Sequence, residues 1–277
     1  MKAQTGLFTI SLLTGFFTIS AQVLEGTTKP IAIEIGTKSG AGNPESNDAI
    51  TLETLGITKL PKYHALIMGV SEYENAGAEL PNLDMPAKDA EKLYKVLTEN
   101  YAFDPKDVTL MKNPTREQII NHFDRLAETV GDKDNLFIFY AGHGYYDKPK
   151  DFGFWLPSDA KPASRSAWIA NSTVKDYIGA IKSKHTLLIT DACFGGSIFK
   201  TRKITNVLQR FNEVYRDNSR KAITSGNLTE VPDNSIFLKY LLKTLEENKD
   251  VFLTSSMLFS RIYEPILNNA PTTPQFG

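Results

Sequence analysis

The chain has 277 residues, 41% hydrophobic and 23% charged, which is enough apolar content for one α/β domain with a substantial core and too little bias for a disordered protein. Its net charge of −1, with Lys and Arg dispersed, supplies no electrostatic footprint for nucleic acid or an anionic membrane. The single cysteine, Cys193, excludes an internal disulfide and argues against a cysteine-based metal site.

At the start, Lys2 precedes an apolar segment from Gly6 to Ile19 that ends in the small residues Ser20 and Ala21. That segment is shorter than the ~20 residues a membrane span needs, so residues 1–22 are expected to be a secretory signal peptide, cleaved near Ser20 to Gln22. The mature protein is then expected to be exported, periplasmic or secreted, with no stable membrane span. In such an oxidising compartment a lone thiol has no internal partner and is open to oxidation, a poor choice for a purely structural residue. Residues 23–60, rich in Gly, Thr, Ser, Pro and Asn, read as a flexible lead-in in which only Ile31 to Ile35 resembles a strand.

The domain proper, 61–277, opens with an apolar strand, Tyr63 to Val70. Pro86 in the first turn, Asp84 as cap, and Ala90, Leu93, Tyr94 and Leu97 on one face predict a helix over Pro86 to Asn100. A short strand, Val108 to Met111, follows. Thr115 and Gln118 then form a capping-box pattern before a helix whose inner face is Ile119, Ile120, Phe123 and Leu126. Next comes the strand LFIFYAGHG, Leu136 to Gly144, and a loop, YYDKPKDFGFWLPSDA, that reads as a packed flap or part of a cleft. Asp147 and Asp159 in this region are read as turn formers, and no metal is assigned to them. A third helix starting at Asn171, with Val174, Tyr177, Ile178 and Ile181 at helical spacing, leads into the strand LLITDACFGGS, Leu187 to Ser197. Beyond it lie a basic segment from Lys200 to Lys221, a strand at Ala222 to Thr224, and helices near Ser235 to Glu247 and Thr254 to Pro265. Strand and helix alternate throughout, which predicts a mainly parallel sheet with helices on both faces and right-handed crossovers.

Two successive strands thus end in chemistry. One carries His143 between Gly142 and Gly144; the other carries Cys193 ahead of Gly195 and Gly196. The carboxyl edge of a parallel sheet is where catalysis gathers. An imidazole within reach of a thiol can take its proton and return one to a leaving amine. Taken singly, each residue has a bland reading, a buried Cys and a His satisfied by a loop carbonyl; the paired strand–Gly context favours the nucleophile and its base. The other histidines, His64 in the first strand, His122 on a helix and His185 at a strand entrance, carry no such context. A Ser-His-Asp hydrolase is disfavoured because no G-x-S-x-G elbow is present.

These residues resemble the caspase-type cysteine peptidases, the clan of caspases, metacaspases and paracaspases with many bacterial members. The caspase signature Q-A-C-[RQG]-G, with its His about 50 residues upstream, stands here as Asp191, Ala192, Cys193, Phe194, Gly195 with His143. Asp191 in place of Gln, and the A-G-H-G form around His143, are closer to metacaspases and bacterial members of the peptidase C14 type. GVSEYENAGAELPNLDMPAKDAEKL, FIFYAGHGYYD, TDACFGGS, ITSGN and TPQFG follow the family pattern in order.

The resemblance implies an α/β fold, a caspase-like three-layer sandwich, and a cysteine endopeptidase acting on peptide or protein substrates. It makes Cys193 the nucleophile and His143 the base, with the backbone N–H groups of Gly144 and Cys193 as oxyanion hole. Asp191, Asp89, Ser225 and Gly226 become the substrate-binding residues. An anion at Asp191 repels Asp or Glu and pairs with Lys or Arg, so cleavage after Arg or Lys is expected. Pro86 and Ala141 depart from the metacaspase pattern, which often has Cys and Ser there. No cofactor is assigned; kinship to metacaspases leaves room for calcium dependence. The segment from Lys200 to Lys221 resembles the linker where some relatives cut themselves. The family ordinarily ends with a strand after the position of TPQFG, so the chain's end at Gly277 leaves the sixth strand unassigned. The alternative from another class is a non-catalytic caspase-like binding module, which the presence of both His143 and Cys193 disfavours.

Overall fold

The computed structural model describes residues 61–192, 218–226, 234–250 and 253–277. Residues 1–22 and 23–60, and with them the leader and lead-in expectations, lie outside the described residues, as does Cys193. Strands β1 (Tyr63–Gly69), β2 (Val108–Lys112), β3 (Asn135–Ala141), β7 (His185–Asp191), β8 (Ser219–Thr224) and β9 (Gln275–Phe276) form a six-stranded sheet in the order β2-β1-β3-β7-β8-β9. All pairs are parallel except β8 with β9. Helices α1 (Pro86–Asn100), α2 (Arg116–Thr129), α3 (Asn171–Ala180), α4 (Ile236–Glu247) and α5 (Ser255–Asn269) connect the strands.

Every residue of β1, β3 and β7 is buried, because each strand feeds two cores. Side chains alternate across a strand. Ala65, Ile67, Phe137, Phe139, Leu187 and Ile189 pack with α1, α4 and α5 on one face. Leu66, Met68, Leu136, Ile138, Tyr140 and Leu188 pack with α2 and α3 on the other. The result is the three-layer α/β sandwich. Among the described residues no helix is long and apolar enough to cross a membrane.

The local signals act largely as read. The Thr115 hydroxyl accepts from Gln118 N–H while the Gln118 side chain accepts from Thr115 N–H, closing the capping box of α2. Ile120 is only half-buried, since Ile119, Phe123 and Leu126 already fill the inward face. α1 starts at Pro86 as expected, but Asp84 is not its cap: the N-cap is Met85, without a side-chain bond. Ser71 Oγ, from the end of β1, instead accepts from Ala87 N–H at 3.0 Å. The approach is close there, since a Cβ on Gly69 would stand 2.3 Å from Pro86 O.

Three segments differ from expectation. The aromatic stretch after His143 is a small antiparallel sheet of β4 (Gly144–Asp147), β5 (Phe152–Trp155) and β6 (Ile169–Ala170). Helix α5 passes through Pro265 to Asn269, because Ile262 and Ile266 are both fully buried and tertiary packing outweighs the lost N–H. The sixth strand is the TPQFG segment itself: Gln275–Phe276 pairs with Thr224 and Ile223, and Phe276 stacks on Phe259 at 5.3 Å.

Candidate active site

The site lies at the carboxyl ends of β3, β7 and β8. β3 stops at Ala141, and Gly142 follows with φ of +152°, a conformation that L side chains rarely adopt. A Cβ at Gly142 would meet the Tyr140 hydroxyl, the Tyr73 hydroxyl and Val70 Cβ, each at 3.1 Å. Glycine therefore turns the chain so that His143 leaves the sheet half-buried.

The imidazole is held by the loop after β1: His143 Nε2 lies 2.8 Å from Pro81 O. A carbonyl can only accept, so this contact puts the proton on Nε2 and leaves Nδ1 as the basic nitrogen of the neutral ring. The Tyr73 ring lies beside the imidazole, centroids 5.1 Å apart. Gly144 opens β4 opposite Trp155 of β5. His64 instead lies 3.3 Å from Asp134, and His185 Nδ1 lies 3.0 Å from Ser219 Oγ in the interior. Burial drives the His185 imidazole down to about 4, keeping it neutral.

β3 and β7 keep a constant residue-number difference of 50 along their register, from Asn135 with His185 to Ala141 with Asp191. His143 and Cys193 are separated by the same number.

The four expected substrate-binding residues gather at this edge. Asp191 closes β7, 6% exposed, and Asp89 sits in the first turn of α1, also 6% exposed. Burial pushes the Asp191 carboxyl up to about 6; nearby Ser225 and Ser235 oppose this, and the charge of Asp89 adds to it. Asp191 Oδ1 and Ser225 Oγ are buried with no hydrogen-bond partner. Asp89 already pairs with Lys92 at 3.0 Å. Ser225 continues β8, its N–H donating to Thr190 O at 3.0 Å, and a Cβ on Gly226 would stand 3.1 Å from Thr272 Cβ. Two buried carboxylates and an unpartnered hydroxyl at one sheet edge are a setting suited to a cation with several N–H donors.

Asp147 and Asp159 have other roles. Asp147 binds Arg165 at 2.8 Å, which holds its carboxyl below the usual range, and Asp159 accepts from Arg116 N–H at the start of α2. Among the described residues no group of three or more His, Cys, Asp or Glu side chains could hold a metal ion. Of the basic segment, Arg220 and Lys221 belong to β8, and the Arg220 guanidinium donates to the carbonyls of Ile178 and Ile181. Those two residues are sheet residues and leave the linker set. The rest of that segment, Lys200 to Arg216, lies outside the described residues.

Sequence reasoning missed Tyr73, Tyr140 and Pro81. Tyr140 and Tyr73 were legible only as an aromatic within an apolar run and one beside a turn. The Pro81 contribution is a carbonyl, which no residue pattern announces.

The caspase-domain family model of the peptidase C14 type matches residues 62–259. The crystal structure of a protein from Geobacter sulfurreducens is similar in fold, with a TM-score of 0.55 at 17% identity over 78% of this chain and 93% of that one. No curated protein matches the chain. With the sheet order, the placement of His143 and a family match running from β1 into α5, the chain belongs to the caspase-domain family of peptidases.

Proposed function

We propose that this chain is a cysteine endopeptidase that uses His143 and Cys193 to cleave peptide bonds after Arg or Lys. The observation that carries the reading is the setting of His143: Nε2 is engaged by Pro81 O, at the end of a strand whose offset from β7 equals the His143–Cys193 separation. In the proposed reaction the imidazole takes the thiol proton and the Cys193 sulfur attacks the scissile carbonyl, with backbone N–H groups of Gly144 and Cys193 facing the oxyanion. Collapse breaks the C–N bond, and the imidazolium gives its proton to the departing amine. Water, deprotonated by His143, then hydrolyses the thioester and restores the thiol.

Specificity for a cation is supported by Asp191 and Asp89, buried beside the strand end, and by the unpartnered Asp191 and Ser225 oxygens. A guanidinium would supply the missing donors and relieve the cost of two neighbouring anions. Residues 1–22 are proposed as a cleaved leader, so that the peptidase works outside the cytoplasm. Fluorogenic peptides differing only in the residue before the cut test the assignment, with Cys193→Ala as control. Turnover of Arg and Lys peptides that vanishes in the control is expected; preferential hydrolysis after Asp, or unchanged turnover in the control, overturns it.

A further inference from the structure

Strand β3 ends at Ala141 and His143 lies beyond its ladder; the His143 carbonyl accepts from Leu156 N–H at 3.1 Å, next to the β4–β5 pair. Two tyrosine hydroxyls also bind its peptide groups. His143 N–H donates to Tyr73 Oη at 2.8 Å, and Tyr140 Oη donates to His143 O at 2.7 Å. Both tyrosines are buried, Tyr73 at 4% and Tyr140 at 0% exposure. Tyr140 Oη is tied further to Leu156, the residue after β5, lying 3.0 Å from Leu156 O and accepting from Leu156 N–H at 3.2 Å. The tyrosine-bearing loop is itself pinned: Tyr73 N–H donates to Asn82 Oδ1, Ser71 and Glu72 N–H to Asn113 Oδ1, and Glu74 N–H to Ser158 O. It also carries Pro81, whose carbonyl meets the imidazole. One loop therefore grips His143 at both backbone and ring, and Tyr140 closes the grip from the opposite side.

Resting on the dyad reading above, we propose that Tyr73 and Tyr140 are positioning residues for the catalytic imidazole, fixing the His143 peptide so that Nδ1 is aimed at the nucleophile. Their hydroxyls flank the space above Gly142, so the turn cannot relax without losing one of them. A displacement of about 1 Å at a reacting group costs on the order of a hundredfold in rate, which sets the expected effect.

Tyr73→Phe keeps the ring and removes the hydroxyl that accepts from His143 N–H at 2.8 Å and lies 3.4 Å from Val70 O. The expected result is a kcat lower by roughly tenfold to a hundredfold with KM within about twofold. Iodoacetamide alkylation as a function of pH gives a second readout, because Cys193 is the chain's only thiol. Its midpoint should lie well below that of a free thiol in the unmodified protein and move up toward about 8.5 in the variant. A melting curve confirms folding, and Tyr140→Phe tests the same claim from the carbonyl side. A folded Tyr73→Phe with unchanged kcat and unchanged alkylation midpoint overturns the proposal and leaves the dyad standing. A free-thiol midpoint in the unmodified protein overturns the dyad, and the proposal with it. If Tyr73→Phe does not fold, Tyr140→Phe decides by the same readouts. Failure of both to fold overturns the positioning role, since the two hydroxyls then serve the core.

Discussion

Ala141, the last residue of β3, lies in register with Asp191, the last residue of β7. The base and a buried carboxylate are thereby delivered to one sheet edge by two adjacent strands, and their separation depends on backbone pairing more than on side-chain packing. The side of the sheet matters too. Leu187 and Ile189 face α1, α4 and α5, and Asp191 continues that alternation toward Asp89 on α1.

Asp191 is predicted to cost stability where it serves specificity. Its native pKa of about 6 lies above the ordinary 3.8, so its contribution is fully present below pH 3.8 and is lost as pH rises through about 6. Asp191→Asn should be more stable than the unmodified protein at pH 8 by on the order of 2–3 kcal/mol, the gap closing near pH 4. Urea unfolding at the two pH values measures it; a gap independent of pH contradicts the argument.

The same carboxyl predicts a substrate-dependent acid limb. Below about pH 6 Asp191 is protonated, so KM for Arg peptides should rise as pH falls while KM for neutral peptides stays level. Parallel pH profiles for the two peptide classes would exclude Asp191 from contact with the substrate cation.

Gly142→Ala should damage both fold and site. The φ of +152° and three contacts at 3.1 Å leave no room for a methyl group, and the expected loss is about 1–3 kcal/mol of stability together with more than tenfold in kcat. Denaturation and turnover measured side by side check it, and an active, equally stable variant would show the turn to be unconstrained.

Self-cleavage, if the chain performs it, should map to Lys200, Arg202, Lys203, Arg210 or Arg216. Arg220 and Lys221 are spared because they pair within β8, their backbone committed to neighbouring strands. Mass spectrometry of the purified chain distinguishes the sites; a fragment ending at Arg220 would contradict the strand assignment in solution.

Much of this was legible in the sequence where the signal is local. The bounds of α1, the Thr115–Gln118 capping box and the apolar strands ending before Gly142 and before Cys193 are each written in about fifteen residues or fewer. What escaped is non-local. Ser71 caps α1 from another element, and Tyr73 meets His143 across 70 residues of chain. The β4–β5–β6 sheet escaped because its strands have four, four and two residues, too short for periodicity to declare itself. Gln275–Phe276 is likewise a two-residue strand, defined by its pairing with β8 and not by its composition.

The central claim is a dyad of His143 and Cys193 serving a pocket for a cation, and covalent capture tests it most directly. The protein is incubated with a peptidyl fluoromethyl ketone ending in Arg and, separately, with its counterpart ending in Asp, and the adduct is located by mass spectrometry. The prediction is stoichiometric modification of Cys193 by the Arg reagent, little by the Asp reagent, and loss of the reaction in His143→Ala. No adduct at Cys193, or equal capture in His143→Ala, would contradict the account.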